Sequence, residues 1–245
     1  MAPHQQPVTV DAVGCAGDQR AQILPRLDGQ RVHLLRLHDQ YLIDFVGQQA
    51  VEDAQALSAY SEIYQKMARM SGVCPMVALV LGPCIGGAAL LSQLADVSIV
   101  AEKVGQLMVF GPQVMAAMNG AQVDAEKFGG AKVAAETGAC ALTAASEDEA
   151  LLKARQVLAL LPSSNLEDTE IVDADDLNRL LPAIDPADAD ALLNAVADQG
   201  TLVELYAAYE PSVKVALARL GGYSVGLVAA NGKLTAGALQ KAARF

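Results

Sequence analysis

The sequence has no tryptophan, few cysteines and few cationic residues, and the last two shortages each exclude a class of function. Its 17 Lys and Arg face 28 Asp and Glu, which gives a formal net charge of −11. A nucleic-acid-binding protein is therefore excluded, because a phosphate backbone requires a dense footprint of cationic side chains. The four cysteines lack C-x-x-C spacing and the three histidines lack the spacing of metal ligands, so we expect no metal site.

Long apolar runs are missing too. Glycine, proline or charge interrupts each apolar stretch well before the roughly 20 residues that are needed to cross a bilayer. The first residues show no basic segment followed by an apolar one, which a secretory signal would have. We therefore expect a cytoplasmic protein with reduced thiols, and docking onto a membrane complex stays open.

Hydrophobic residues make up 53% of the 245 residues and charged residues 18%, which indicates a well-buried α/β protein. Apolar periodicity and glycine or proline breaks predict alternating strands and helices, the pattern of helices layered on a sheet. The predicted strands are at residues 8–13, 30–45 (two short strands, or one strand and a connection), 73–81, 96–101, 106–110, 213–219 and 223–230. The predicted helices are at residues 50–70, 86–94, 113–120, 124–128, 147–160, 174–181, 188–198 and 202–209. Gly221 and Gly222 predict a hairpin turn between the last two strands.

The most informative segment is a glycine-rich turn within residues 81–92 (LGPCIGGAALLS), which follows an apolar strand and opens a helix. Gly86 and Gly87 let a ligand approach bare backbone, and a helix N-terminus presents unsatisfied N–H groups and the positive end of its dipole. Such a turn suits an oxyanion. The residues alone leave a structural alternative open, in which the two glycines only allow a tight turn or close packing.

Five stretches together resemble the carboxyltransferase subunit of biotin-dependent acyl-CoA carboxylases and decarboxylases, of the propionyl-CoA carboxylase β and glutaconyl-CoA decarboxylase α type. They are residues 71–90 (SGVCPMVALVLGPCIGGAAL), 110–112 (FGP), 128–142 (FGGAKVAAETGACAL), 160–165 (LLPSSN) and 241–245 (KAARF). The resemblance is to the N-terminal half of that subunit. It implies an α/β crotonase (ClpP-like) fold in a single copy, with a C-terminal β-hairpin that begins a second copy.

The resemblance also implies how the chain is divided. Residues 1–161 would form a crotonase-like domain that binds acyl-CoA, and residues 162–200 an acidic helical connector. Residues 201–245 would hold a helix and a β-hairpin that resemble the start of a second crotonase-like domain.

The implied reaction explains the glycines. Carboxyl transfer at the α-carbon of an acyl thioester passes through an enolate, so backbone N–H groups must meet the thioester oxygen as charge develops. Gly86 and Gly87 match one half of this oxyanion hole. The other half lies in a family motif that reads roughly Asp-Ser-Gly-Gly-Ala-Arg, and its counterpart here, residues 44–49 (DFVGQQ), keeps only Asp44 and Gly47.

Further residues are implied to contact the acyl-CoA or to lie near the biotin passage. They are Cys84, Ile85, Ala88, Gly111, Pro112, Gly129, Gly130, Ala131 and Lys132. Two of them have a plain structural alternative: Lys132 as a solvated lysine, and Cys84 as a buried packing residue.

The leading hypothesis is a subunit that moves a carboxyl group between biotin and an acyl-CoA together with a partner half. Biotin would be carried on a partner protein, and the chain would form a homo-oligomer, a hetero-oligomer with a second carboxyltransferase chain, or both. The first alternative is a non-catalytic acyl-CoA-binding or scaffolding subunit, which the bulky residues 45–46 (FV) favour. A weaker one is a different crotonase-fold enzyme, a thioester hydratase or hydrolase.

Overall fold

A computed structural model describes residues 22–23, 30–37, 40–47, 54–172, 175–176, 178–185 and 187–245. The helices are α1 (Ala54–Met70), α2 (Gly87–Leu94), α3 (Pro112–Asn119), α4 (Ala125–Gly129), α5 (Ala131–Glu136), α6 (Glu147–Leu158), α7 (Ala189–Val196) and α8 (Ala236–Arg244). The strands are β1 (Gln22–Ile23), β2 (Gln30–Leu37), β3 (Gln40–Gly47), β4 (Met76–Val80), β5 (Pro83–Ile85), β6 (Val97–Ala101), β7 (Gln106–Met108), β8 (Leu142–Ala144), β9 (Val203–Leu205), β10 (Val213–Leu220) and β11 (Tyr223–Ala230).

The main sheet has six strands in the order β1-β2-β3-β4-β6-β8. Strands β1 to β3 are antiparallel, and β3, β4, β6 and β8 run parallel to one another. A second sheet has the order β11-β10-β9, and β5 pairs with β7 in a separate parallel ribbon. Because the carboxyl ends of parallel strands meet at one edge, the loops after β3 and β4 leave the main sheet on the same side.

The core lies on both faces of β4, in which all five side chains are fully buried. Met76, Ala78 and Val80 pack on the face covered by α1, α2 and α5. Val77 and Leu79 point to the other face, where α6, β10 and α8 cover them. Full burial of a large aliphatic side chain such as Val77 or Leu79 contributes about 1.5–3 kcal/mol, so β4 contributes strongly to the stability of the sheet.

A charged network fixes the hairpin of the second sheet. Gly221 and Gly222 both have positive φ, which is the requirement of a two-residue type I′ turn. Their N–H groups donate to the buried Asp198 carboxylate at 2.9 and 2.7 Å. Arg219, also buried, donates to the carbonyls of Ala159, Glu170 and Gly222. These bonds join the hairpin to the end of α6 and to the connector.

Two hairpins have the same dimensions. In β2–β3 and in β10–β11, two eight-residue strands are joined by two residues, and a helix follows each hairpin. After the first hairpin and its helix, β4 pairs in parallel with β3. Among the described residues β11 pairs with β10 alone, so the outer edge of β11 corresponds to the edge of β3 that β4 occupies.

Most predicted elements are present with shifted ends, and two are wrong. The helix expected at 202–209 is strand β9, because residues 203–205 pair with β10. The helix expected at 174–181 is not seen in the described part of that segment, which forms turns. Strand β7 ends at Met108 rather than at 110. The strand predicted at 8–13 lies outside the described residues.

Candidate functional site

The glycine turn lies where β5 meets α2. Gly86 has φ +67°, a conformation that residues with a side chain rarely adopt, so glycine is required at this position. Gly86 is also the N-cap of α2, and no side chain caps the helix there. The N–H groups of a first helical turn have no partner within the helix. The turn therefore presents main-chain donors and the positive end of a dipole without a competing side chain.

The N–H of Gly86 itself has a partner, since it donates to the Met108 carbonyl at 3.0 Å. This bond extends the β5–β7 ribbon by one step and holds the turn beside the end of β7. An incoming oxyanion would consequently meet the Ala88 N–H, in the first turn of α2, rather than that of Gly86.

Tyr64 on α1 is a residue that the sequence reasoning missed. Its hydroxyl donates to the Gly87 carbonyl at 2.7 Å. That bond sets the orientation of the peptide between Gly87 and Ala88, and so the direction of the Ala88 N–H. The sequence contains no signal for it, because the two residues lie 23 positions apart and meet only in the folded chain.

Cys84 and Ile85 form the strand that precedes the turn. Cys84 is 1% exposed and packs in the core with residues of α2 and α5. Burial raises the pKa of the Cys84 thiol to about 12, so the thiolate is not formed near neutral pH. This placement agrees with the packing interpretation of Cys84. Ile85 is half-buried and pairs with Met108 across the ribbon.

Gly47 is the last residue of β3. Since β3 and β4 are parallel, with Phe45 in register with Val80, Gly47 lies at the same sheet edge as the glycine turn. Strand β3 also contacts β5 directly. The two predicted halves of the oxyanion hole therefore come from neighbouring strands of one edge, and residues 48–53 lie outside the described part of the chain.

The FGP motif follows β7 immediately. Gly111 is buried and caps α3, and Pro112 occupies the first turn of that helix, where its missing N–H costs nothing. No residue of α3 is buried. Phe110 is 54% exposed and Met118 69% exposed, so an apolar surface adjoins the end of β7.

The GGAK motif packs against the same strand. Gly129 ends α4 and Gly130 caps α5, and both are buried. A Cβ on Gly129 would overlap the Met108 side chain, and Gly130 forms an isolated bridge with Gln106 of β7. Ala131 is buried beneath these glycines. Met108 thus contacts the Gly86 turn through its carbonyl and the GGAK turn through its side chain.

Lys132 lies on the surface. Its side chain is 85% exposed and forms an ion pair of 3.8 Å with Glu136, one helical turn along α5. This is the geometry of a solvated lysine. An ion pair at so exposed a site contributes little to the free energy of folding.

The assembled site is built from main chain rather than from titratable side chains. The Gly86 turn, the end of β7 with Gly111, and the Gly129–Gly130 turn are joined by the backbone bonds given above, with Gly47 at the same edge. Burial raises the pKa of the Cys84 thiol beside the turn to about 12, which disfavours its charged form. The arrangement is thus suited to stabilising charge on a bound carbonyl oxygen and less suited to acid–base catalysis.

Within the described residues no group of three or more His, Cys, Asp or Glu side chains is arranged to hold a metal ion. No helix in that part of the chain is both long and apolar enough to cross a membrane.

The model of one protein family, described as the carboxyl transferase domain, matches residues 8–245. The chain is 33% identical over 218 residues to the methylmalonyl-CoA decarboxylase subunit alpha of Veillonella parvula, covering 82% of this chain and 43% of that protein. It is 31% identical over 220 residues to the propionyl-CoA carboxylase, carboxyltransferase subunit, of Haloferax mediterranei, covering 83% and 43%.

Among solved structures, the fold matches transcarboxylase 12S with a TM-score of 0.77 and 25% identity, over 89% of this chain and 53% of that one. That structure is described as a hexamer assembly, with methylmalonyl-coenzyme A and methylmalonic acid bound. The α/β crotonase fold predicted from the sequence is confirmed by this match. The chain spans less than half the length of these curated relatives.

Proposed function

Because this chain belongs to the carboxyl transferase domain family, we propose that it is a subunit of a biotin-dependent carboxyltransferase or decarboxylase that acts on an acyl-CoA. The observation that carries the proposal is the uncapped N-terminus of α2 behind the positive-φ glycine at 86. It supplies main-chain donors at the sheet edge where Gly47 also ends its strand.

In the proposed decarboxylation direction the bond between a carboxyl group and the α-carbon of the thioester breaks, the carboxyl group bonds to a biotin nitrogen, and the proton of that nitrogen passes to the α-carbon; carboxylation is the reverse. The electron pair of that bond passes through an enolate, which places negative charge on the thioester oxygen. The Ala88 N–H in the first turn of α2, held in direction by the bond from Tyr64 to the Gly87 carbonyl, stabilises this charge, and loss of one such donor typically costs about 10²–10³ in rate. Biotin supplies the nitrogen to which the carboxyl group is attached.

The proposal assigns the acyl-CoA to residues 1–161 and the biotin side to a partner half. The repeated hairpin supports this division, because β10–β11 has the dimensions of β2–β3 and its outer edge is unpaired among the described residues. The proposal also includes an oligomer, formed with further copies of the chain or with a second carboxyltransferase chain. Biotin is carried on a separate protein. The proposed location is cytoplasmic, and docking onto a membrane complex stays open.

A second candidate is a subunit that binds acyl-CoA or organises an assembly without catalysing transfer. Phe45 and Val46 favour it, because they replace small residues of the family motif in the strand that ends beside the glycine turn. A serine–glycine pair leaves more room for a ligand to reach the backbone than a phenylalanine–valine pair does.

The test compares two glycines with a similar positive φ. Gly86→Ala and Gly200→Ala both place a side chain at φ near +70°, and Gly200 is exposed, with open space within 4 Å of the point where a Cβ would lie. Gly200→Ala should lose about 1–2 kcal/mol of stability, and Gly86→Ala should lose more, because its ψ of −129° lies outside the left-handed region. Only Gly86→Ala should weaken binding of methylmalonyl-CoA or malonyl-CoA, by about tenfold or more in calorimetry.

Activity is measured as carboxyl transfer from the same CoA esters to free biotin, with and without a separately expressed second half. Transfer that requires the second half supports the leading proposal. Binding without transfer in every mixture supports the non-catalytic candidate. Equal CoA-ester affinity in the two glycine variants would place the ligand away from the turn and contradict both.

A further inference from the structure

A cavity of about 380 Å³ lies at the edge of the parallel strands opposite to the glycine turn. Its lining residues are Thr137, Gly138, Tyr206, Tyr209, Gln240, Lys241 and Arg244. The segment after α5 enters it just before β8 begins, and the N–H of Tyr206 donates to the carbonyl of Ala141 at 2.8 Å. The glycine turn, by contrast, follows the carboxyl end of β4. The cavity is therefore separate from the site proposed for acyl-CoA.

Lys241 is the most unusual lining residue, because it is only 3% exposed. Its ammonium donates to the carbonyls of Tyr206 and Tyr209 at 2.8 Å each, and to that of Glu210 at 3.5 Å. No carboxylate of the described residues lies within 4 Å of it, and burial lowers the pKa of the ammonium. The direct partners of this buried cation are therefore carbonyl dipoles rather than a carboxylate.

The acidic side chains nearest to Lys241 have other partners. Glu204 pairs with Lys214 at 3.2 Å, and the Glu210 carboxylate accepts from the Thr235 hydroxyl at 2.6 Å. None of the residues that line the cavity is acidic. Glu204 and Glu210 are close enough to raise the pKa of Lys241 against the larger effect of burial, but neither forms an ion pair with it, and the lining of the cavity itself carries only positive charge.

Arg244 adds a second cation on the same face of α8, three residues beyond Lys241. Its guanidinium carbon lies 5.6 Å from the centre of the Tyr206 ring. Stacking of this kind orients the planar guanidinium of an arginine. Its paired N–H donors have the spacing of the oxygens of a carboxylate or a phosphate.

The walls are aromatic and closely packed. Gly138 has φ +73°, and a Cβ there would lie 2.9 Å from the Tyr209 ring, so this ring rests directly on the glycine backbone. Tyr206, which also lines the cavity, is buried. Two tyrosine rings and two cations form a pocket for a ligand with an apolar body and an anionic group.

We propose that this cavity binds a small organic anion, a carboxylate or a phosphate ester with an apolar body. The anionic group accepts from the Arg244 guanidinium and from the Lys241 proton whose bond to Glu210 is long, and the apolar part lies between the tyrosine rings. The ligand supplies a negative charge in direct contact with the buried lysine.

The test titrates the full chain with benzoate and with phenyl phosphate, using benzamide and phenol as neutral analogues of the same shape. Binding is followed by calorimetry and by NMR of ring-labelled tyrosine, of which the chain has six. We expect saturable binding of an anion, little binding of its neutral analogue, and shifts confined to two tyrosine signals. Those two are assigned by Tyr206→Phe and Tyr209→Phe.

Arg244→Gln removes the exposed cation of the cavity. It should weaken binding of benzoate or phenyl phosphate about tenfold, because one charge-assisted hydrogen bond is lost. Arg155→Gln is the matched control, because Arg155 is exposed on α6 and does not line the cavity. Its affinity should equal that of the unsubstituted chain. The proposal is overturned by an absence of saturable binding up to about 10 mM, by equal affinity in the two arginine variants, or by shifts in other tyrosines.

Discussion

Gly129→Ala tests whether the two glycine motifs act as one unit through Met108. A methyl group at position 129 would overlap the Met108 side chain and would lie 2.8 Å from the Leu107 carbonyl oxygen. The methionine side chain can rotate, but the carbonyl belongs to β7, so the strand and α4 must move apart. Overpacking of this kind costs about 1–3 kcal/mol, which for a chain of this size lowers Tm by about 2–12 °C.

The displacement reaches the candidate site because the Met108 carbonyl accepts the Gly86 N–H at 3.0 Å. When β7 moves, this bond lengthens and the glycine turn loses its position. We therefore expect Gly129→Ala to weaken binding of methylmalonyl-CoA by about tenfold, a loss near 1.4 kcal/mol, in addition to its effect on stability.

Gly237→Ala is the matched control. It also adds one methyl group to a helical glycine, but the contacts it creates are with the flexible side chain of Glu210, which can swing away. The Tm of Gly237→Ala should fall less than that of Gly129→Ala, and its affinity for methylmalonyl-CoA should not change. Thermal unfolding and calorimetry are measured on both variants. Unchanged affinity in a correctly folded Gly129→Ala, or an equal loss in Gly237→Ala, would refute the coupling through Met108.

Three experiments at single sites test other parts of the fold. Asp198→Asn replaces one of the two acceptor oxygens with an NH₂ donor, so one turn N–H loses its partner; the change should cost about 1–3 kcal/mol in urea unfolding, and an unchanged midpoint would contradict the hydrogen-bond network of the hairpin. Cys84 and Cys140, whose pKa values burial raises to about 12, should resist iodoacetamide at about pH 8 until denaturant is added, and mass spectrometry of native protein that shows either one alkylated would disprove their burial. Ser146→Ala removes the acceptor for the Glu149 N–H and should lower the free energy of unfolding by about 0.5–2 kcal/mol, with Ser146→Asp as the rescue that should restore it.

Local patterns predict those parts of the fold that depend on neighbours in the chain. The capping box of Ser146 and Glu149 correctly predicts where α6 begins, and the glycine pair at 221–222 correctly predicts the hairpin turn. The unbroken apolar run of β4 predicts that strand, and the glycines after it predict the turn into α2. In each case the signal lies within a few residues of the structure it specifies.

The two wrong helices show where this reasoning ends. Residues 202–209 have an apolar spacing that a helix tolerates, yet residues 203–205 are a strand because β10 offers a partner for their backbone. Strand formation depends on a neighbour that can lie anywhere in the sequence, and the apolar period of a short segment does not identify it. That Gly47 and the glycine turn lie at the same edge of the sheet could be predicted only through the family resemblance.

Residue types in a recognisable order were sufficient to identify the family, the fold class and the glycine turn. Packing in three dimensions was needed to show that Tyr64 bonds to Gly87, that the Met108 carbonyl accepts the Gly86 N–H, and that Lys241 is a buried cation in a cavity. Each of these joins residues more than 20 positions apart. Such contacts arise from the way in which the helices and strands pack, and composition, spacing and local propensity carry no information about which partner a residue will meet.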